Sequence, residues 1–135
     1  MGNVEVVKRM YEAFGKRDRD TILALFDPNI EWVQNEGFPG GGRHVGAESV
    51  LEDVFAKFRR DWDVWQAPVS EWLDAGGIVV AVGEYRGTYK ATGRSMTAAF
   101  AGLYRVKDGR IVQFRQFADT AMIAGAMKQI TTEKK

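Results

Sequence analysis

The stretch FRQFADTA at residues 114–121 holds one carboxylate, Asp119, directly after a run of alternating residues. A carboxylate at the end of a strand can act as an acid or a base at the mouth of a pocket. It can equally accept the free backbone N–H groups of a helix that starts at Thr120. The sequence favours the capping role for Asp119 and leaves the catalytic role as the alternative.

His44 is the only histidine of the chain and the second candidate for proton transfer, since imidazole suits that chemistry near neutral pH. It lies within the glycine-rich stretch GFPGGGRHVG at 37–46, which we expect to form a loop near the mouth of a pocket. The alternative is a loop histidine bonded to backbone or to solvent. A single histidine without neighbouring carboxylates predicts no metal site. GFPGGG also lacks the Lys-Ser/Thr pair of a phosphate-binding loop.

Composition and charge bound the remaining chemistry. A chain of 135 residues predicts one domain, spanning 1–135. Nineteen Lys and Arg against 18 Asp and Glu give a net charge of +1, which predicts neither a nucleic-acid nor a membrane partner. The absence of cysteine excludes disulfides and thiolate sites. Without a signal-peptide pattern or a long apolar run, we expect a cytoplasmic protein that carries no cofactor.

Helical periodicity fills the first half of the sequence and strand alternation the second, which predicts an α+β fold. Asn3 is expected to cap the first helix, Gly15 to end it, and Asp18 to cap the second. A third helix is predicted over about 47–60. Strands are expected over 30–34, 64–73, 78–89, 95–106 and 111–118, with a short helix after the last of them.

The alternation within each strand predicts which side chains face the helices, because successive side chains point to opposite faces. On 78–89 we place the small, apolar set with Tyr85 inside and Glu84 and Arg86 outside. The opposite parity would make Glu84 and Arg86 a candidate catalytic dyad. The predicted strand residues of the interior are Trp32, Gln34, Tyr85, Phe100, Tyr104, Phe114 and Gln116, joined by Phe14, Phe55 and Phe58 of the helices.

This interior is aromatic, with a few neutral polar groups and no carboxylate. It can bind a flat apolar molecule and orient its carbonyl through hydrogen bonds from Gln or Tyr. The predicted partner is therefore a small hydrophobic molecule.

Three motifs and their spacing carry a family resemblance: YEAFGKRDRDTILALFDPNIEW at 11–32, HVGAESV at 44–50 and RVKDGRIVQFRQFADTA at 105–121. Together they resemble the SnoaL-like proteins of the nuclear transport factor 2-like superfamily, which also holds ketosteroid isomerase and limonene epoxide hydrolase. The resemblance implies a cone-shaped, curved antiparallel sheet wrapped around N-terminal helices, a cystatin-like α+β barrel. It also implies a homodimer that forms through the outer face of the sheet.

The catalytic groups of the two named enzymes do not match this chain. The three groups of ketosteroid isomerase fall on Gln34, Gly102 and Met10. The Asp-Arg-Asp set of limonene epoxide hydrolase falls on Gln116, Tyr85 and Gly87. We expect neither activity.

Two functions remain open. The first is a cofactor-free acid–base enzyme of isomerase, cyclase or dehydratase type, acting on a hydrophobic carbonyl or polycyclic compound. His44 or Asp119 would move the proton, while Gln34, Tyr85 and Gln116 orient the substrate. The second is a dimeric binding or accessory domain that holds a similar ligand without chemistry.

Overall fold

The computed structural model describes residues 2–128, and these form the predicted α+β arrangement. The helices are α1 (Asn3–Gly15), α2 (Arg19–Leu25), α3 (Ala47–Val50, continuing through a π-helical turn Leu51–Phe55 into Ala56–Asp61) and α4 (Thr120–Met127). The strands are β1 (Phe26–Gln34), β2 (Gly42–Val45), β3 (Trp62–Gln66), β4 (Val69–Asp74), β5 (Ile78–Tyr89), β6 (Ser95–Lys107) and β7 (Arg110–Ala118).

The strands form one curved, unclosed sheet in the order β2-β1-β7-β6-β5-β3, with β4 also paired to β5. Every neighbouring pair is antiparallel except β1 and β7, which are parallel. The sheet is therefore mixed, which corrects the fully antiparallel sheet that we expected. The reason is the connection: β1 follows the helical hairpin of α1 and α2 and pairs with the last strand, so no hairpin turn sets its direction.

Two stretches of the sheet differ from the sequence prediction. The expected loop at 37–46 contains β2, whose four residues pair with the end of β1. The expected strand at 64–73 is interrupted at Ala67 and Pro68, since proline has no backbone N–H for a ladder. The Pro68 carbonyl instead accepts from the backbone N–H of Glu84 at 3.1 Å.

Helix α1 ends at Gly15, as predicted, and the backbone of Arg17 beyond it adopts a left-handed conformation with φ of 56°. The N–H of Asp18 bonds to the carbonyl of Ala13 at 2.8 Å, and the N–H of Arg17 bonds to that of Phe14 at 3.2 Å. These two bonds define a Schellman motif, in which glycine is the usual left-handed residue. Arg17 holds that position here. At the other end, the side chain of Asn3 caps nothing, whereas Asp18 caps α2 as predicted.

The predicted inward face is confirmed on β5 and β6. Burial alternates residue by residue along both strands, and Glu84 and Arg86 lie exposed on the outer face, 3.1 Å apart. On β7 Phe114 and Gln116 are buried as predicted, and Ile111, which has the opposite parity, is fully buried as well. The register shifts there, because Arg105 pairs with Gln113 and Val106 with Ile111, so Val112 is an extra residue on β7 and the alternation changes phase.

Candidate functional site

The concave face of the sheet encloses an aromatic pocket with α1 and α3, and we call it the cone pocket. Six of the seven predicted strand residues line it: Trp32, Gln34, Tyr85, Tyr104, Phe114 and Gln116. The predicted helix residues Phe14, Phe55 and Phe58 line it as well. Phe100 does not, because its ring stacks behind that of Tyr85 at a centroid distance of 4.2 Å. The sequence therefore predicted most of the lining.

Four lining residues were missed: Met10, Tyr11, Trp65 and Ala67. Tyr11 stands one turn before Phe14 on the apolar face of α1, so helical spacing could have identified it. Trp65 could not be assigned from alternation, because the pairing of β3 with β5 shifts between Trp62 and Val64. Tyr11 places its hydroxyl beside that of Tyr104 in the pocket, and Trp65 lies at the mouth of the pocket.

Aromatic rings fill most of the cone pocket. Trp32 lies at its centre, 4.1 Å from the ring of Phe114 and 5.4 Å from that of Phe55, measured between centroids. The remaining space is about 40 Å³. That volume holds a few water molecules but is far below the roughly 300 Å³ of a small-molecule site. Phe14 and Trp65 at the mouth are only half-buried, so they are the side chains that can move to admit a ligand.

The neighbouring residue Gly102 explains how two of these rings pack against β6. A Cβ atom at Gly102 would lie 2.8 Å from the Cε1 atom of Phe114 and 3.1 Å from that of Tyr104. Only a residue without a side chain leaves room for both rings in these positions.

Both ends of the Gln34 amide form a hydrogen bond. Its Oε1 accepts from the indole N–H of Trp32 at 3.1 Å, and its Nε2 donates to the carbonyl of Pro39 at 3.2 Å. An indole nitrogen only donates and a carbonyl only accepts, so this orientation of the amide is fixed. Gln34 therefore anchors the 35–41 loop to β1 and has its oxygen committed.

A second amide leaves a tyrosine hydrogen available. Gln116 Oε1 accepts the backbone N–H of Asn35 at 3.0 Å, which turns its Nε2 toward the hydroxyl of Tyr85 at 2.9 Å. The Tyr85 hydroxyl is thus an acceptor in this bond. Its own hydrogen meets no acceptor among residues 2–128 and can be donated to a ligand.

The hydroxyls of Tyr11 and Tyr104 together also leave one hydrogen that can be donated to a ligand. They lie 2.7 Å apart, and their mutual bond uses one of the two hydrogens that the pair carries. Burial raises the pKa of Tyr11, Tyr85 and Tyr104 well above the ordinary value for tyrosine. All three hydroxyls therefore stay protonated at neutral pH and remain hydrogen-bond donors.

The two candidates for proton transfer lie outside the cone pocket. His44 is on β2, opposite Trp32 of β1, and its Nε2 lies 2.8 Å from the carbonyl oxygen of Gly40. Asp119 is exposed and accepts the backbone N–H of Met122 at 3.3 Å, so it caps α4. The structure brings neither side chain to the pocket lining, and a catalytic role for either one stays a prediction.

Within the described part of the chain, the pocket lining contains no carboxylate, imidazole or amine. Residues 2–128 also contain no group of three or more His, Cys, Asp and Glu close enough to hold a metal ion. The chemistry that the cone pocket offers is therefore hydrogen-bond donation from phenols inside an apolar, ring-lined space.

A pair of substitutions separates the two roles of Asp119. Asp119→Ala is expected to lower the free energy of unfolding by about 1 kcal/mol, because the first turn of α4 loses its cap. Asp119→Asn keeps a capping oxygen and should stay within a few tenths of a kcal/mol of the parent. Urea denaturation measures both values. Equal stability of all three proteins would contradict the capping role.

A curved sheet that wraps a helical hairpin around an aromatic pocket defines the nuclear transport factor 2-like class of α+β proteins. Within that class the chain belongs to the family of the SnoaL-like domain, whose family model matches residues 7–114. The resemblance inferred from the sequence motifs is thereby confirmed.

Several solved structures share this fold. A protein described as NTF2-like from Burkholderia thailandensis E264 is 36% identical, covering 93% of this chain and 96% of its own, with a TM-score of 0.88. An NTF2-like protein of unknown function from Burkholderia pseudomallei K96243 is 28% identical over 95% of this chain and 99% of its own, with a TM-score of 0.83. TerC, co-crystallized with polyporic acid, is 24% identical over 93% and 97% of the two chains, with a TM-score of 0.82.

No protein with a curated description is significantly similar to the chain. None of the helices within residues 2–128 is long and apolar enough to cross a membrane.

Proposed function

We propose that this protein binds a small, flat, aromatic compound with a carbonyl oxygen. The rings of the compound lie in the cone pocket, and tyrosine hydroxyls of the pocket donate hydrogen bonds to its carbonyl oxygen. The observation that supports it most is the pair of uncommitted hydroxyl hydrogens, one on Tyr85 and one on the Tyr11–Tyr104 pair. In an apolar pocket, a donor without an acceptor favours a ligand that supplies one.

The lining supports the aromatic part of the ligand. Rings contact one another through stacked and edge-to-face arrangements, which a planar guest can enter and extend. TerC, with the same fold, was crystallized with polyporic acid, so the fold accommodates such a compound in at least one protein.

Binding requires the mouth of the cone pocket to open, since the present space of about 40 Å³ is too small for a ring system. Trp65 stacks on Phe58 at 4.3 Å and lies half-exposed at the mouth, so its outward rotation would widen the mouth. We expect ligand binding to change the fluorescence of Trp65 for this reason.

A matched pair of probes tests the proposal. 9-Fluorenone carries a carbonyl on a flat ring system, and fluorene is the same ring system without it. We expect fluorenone to bind more tightly than fluorene, and Tyr85→Phe to weaken fluorenone binding by about five- to tenfold, the effect of one buried hydrogen bond. Fluorene binding should be unchanged in that variant. Isothermal titration calorimetry measures both affinities.

Tyr89→Phe is the control, because Tyr89 is a tyrosine outside the pocket lining and its ring should not affect either probe. Thermal unfolding of each variant checks that the loss of the Gln116 bond in Tyr85→Phe has not disturbed the fold. If neither probe binds the parent protein, or if fluorenone binds Tyr85→Phe as well as the parent, the proposal is wrong.

We further propose that the bound compound undergoes the acid–base reaction expected for His44 or Asp119. The lining itself supplies no general base, so any proton transfer depends on a group at the rim or on the substrate. Once a substrate is identified, His44→Ala and Asp119→Asn should abolish its turnover if these residues transfer the proton. Unchanged rates in both variants would leave the binding function alone.

We also propose that the protein forms a homodimer through the outer face of the sheet. The outer face of the sheet exposes Phe117 at 45% and Val64 at 48%, and Val80 and Leu103 on the same face are half-buried. Apolar side chains on this face can be covered by a second copy of the chain. Sedimentation velocity of the purified protein measures whether they are.

A further inference from the structure

A second hollow, of about 410 Å³, lies directly outside the mouth of the cone pocket. Three cationic side chains line it, those of Arg17, Arg59 and Lys90, against one carboxylate, Asp63. We call this hollow the basic vestibule. Phe14, Phe58 and Trp65 line both the vestibule and the cone pocket, so the two spaces share a wall.

The cations of the basic vestibule are not neutralised by the protein. Among residues 2–128, none of Arg17, Arg59 and Lys90 forms an ion pair. Arg59 donates one N–H to the carbonyl of Phe14 at 3.2 Å, and Lys90 Nζ lies 3.4 Å from the carbonyl of Arg59. A guanidinium has five N–H donors, so most of the hydrogen-bonding capacity remains for a ligand.

The position of Arg17 is unfavourable for the fold alone. It holds the left-handed residue of the Schellman motif, where a side chain costs free energy that glycine does not. Its charge also lies close enough to Arg59 to contribute, after desolvation, to lowering the pKa of that guanidinium. A cation on a strained turn beside a second cation on α3 is an arrangement that an anion would stabilise.

We propose that the basic vestibule binds an anionic group of the ligand whose rings occupy the cone pocket, so that the ligand class is an aromatic acid. This inference rests on the proposed function. Arg59 is the best-placed partner, because its guanidinium lies 5.5 Å from the ring centroid of Phe14, at the wall shared with the cone pocket. A carboxylate or sulfonate one bond from a bound ring system would reach its N–H fork.

Two dyes that differ by one sulfonate test this inference. 8-Anilinonaphthalene-1-sulfonate carries the anion, and N-phenyl-1-naphthylamine is the same ring system without it. We expect the parent protein to bind the sulfonate more tightly. Arg59→Gln and Arg17→Gln should each weaken sulfonate binding by about fivefold and leave the neutral dye unchanged, because one partly exposed charge pair is lost in each variant. Fluorescence titration measures both affinities.

Arg17→Gly separates an effect on stability from an effect on anion binding. Glycine suits the left-handed backbone, so the melting temperature should rise by about 2–4 °C. Sulfonate binding should fall as in Arg17→Gln. Arg110→Gln is the control, since Arg110 is an exposed cation at the start of β7 and does not line the vestibule.

The outcomes separate the two proposals. If the neutral dye binds but the sulfonate gains nothing, or if Arg59→Gln and Arg17→Gln both behave like Arg110→Gln, the vestibule does not bind anions and the cone pocket proposal stands. If neither dye binds a parent protein that binds fluorenone, this inference fails and the cone pocket proposal stands; if fluorenone does not bind either, both fail.

Discussion

Trp32→Ala is expected to lower the free energy of unfolding by about 4 kcal/mol, the usual cost of removing a large buried aromatic side chain. Trp32 is 3% exposed and packs against the rings of Phe26, Phe55 and Phe114. Its loss leaves a cavity at the centre of the cone pocket and removes the donor to Gln34. Urea denaturation monitored by far-UV circular dichroism measures the change.

One further substitution separates the packing and hydrogen-bonding contributions of Trp32, and a second serves as its control. Trp32→Phe retains a ring but leaves Gln34 Oε1 without its donor, and should cost about 1–2 kcal/mol. Trp72→Ala is the matched control, because Trp72 is only half-buried and packs by its edge against Tyr11. A loss for Trp32→Ala no larger than that for Trp72→Ala would show that the ring cluster is not the centre of the core.

The second large effect is expected at Gly83, where β5 passes the break between β3 and β4. A Cβ atom there would lie 2.2 Å from the carbonyl oxygen of Pro68 and 2.9 Å from the Cα of Val69. Both are backbone atoms, so no side-chain rotation relieves the clash. Gly83→Ala must push the two segments apart, including the Glu84–Pro68 hydrogen bond, and should cost about 3 kcal/mol.

Gly77→Ala is the control for that substitution, because no atom lies within 4 Å of a Cβ at Gly77 and its backbone is not left-handed. Its stability should stay within about 0.5 kcal/mol of the parent. Urea midpoints of the two variants give the comparison. Similar midpoints would mean that the two segments near Pro68 separate easily.

The sequence predicted the faces of the central strands because charge and size are segregated there. Glu84 and Arg86 share one parity, and Ala81, Gly83 and Tyr85 share the other, so alternation alone decides which set is buried. Alternation assigns a face but not a depth along the cone. Phe100 therefore faces inward as predicted and still lies behind Tyr85.

What the sequence could not show depends on tertiary partners. The role of Gln34 follows from the position of Pro39, which is set by the path of a loop. The donor role of Tyr85 follows from the orientation of Gln116, fixed by the backbone of Asn35. Arg17 has a left-handed backbone conformation that is usually predicted from a glycine, so its residue type did not indicate this conformation.

The bare backbone at Gly102 also decides how ketosteroid isomerase chemistry could be engineered into this protein. By resemblance, this is the position where ketosteroid isomerase carries its oxyanion-binding acid, and here the rings of Phe114 and Tyr104 occupy the volume that such an acid needs. Engineering would therefore have to proceed in a set order. A smaller residue at Phe114 must come first, and only then can an aspartate be introduced on β6 without unpacking the domain.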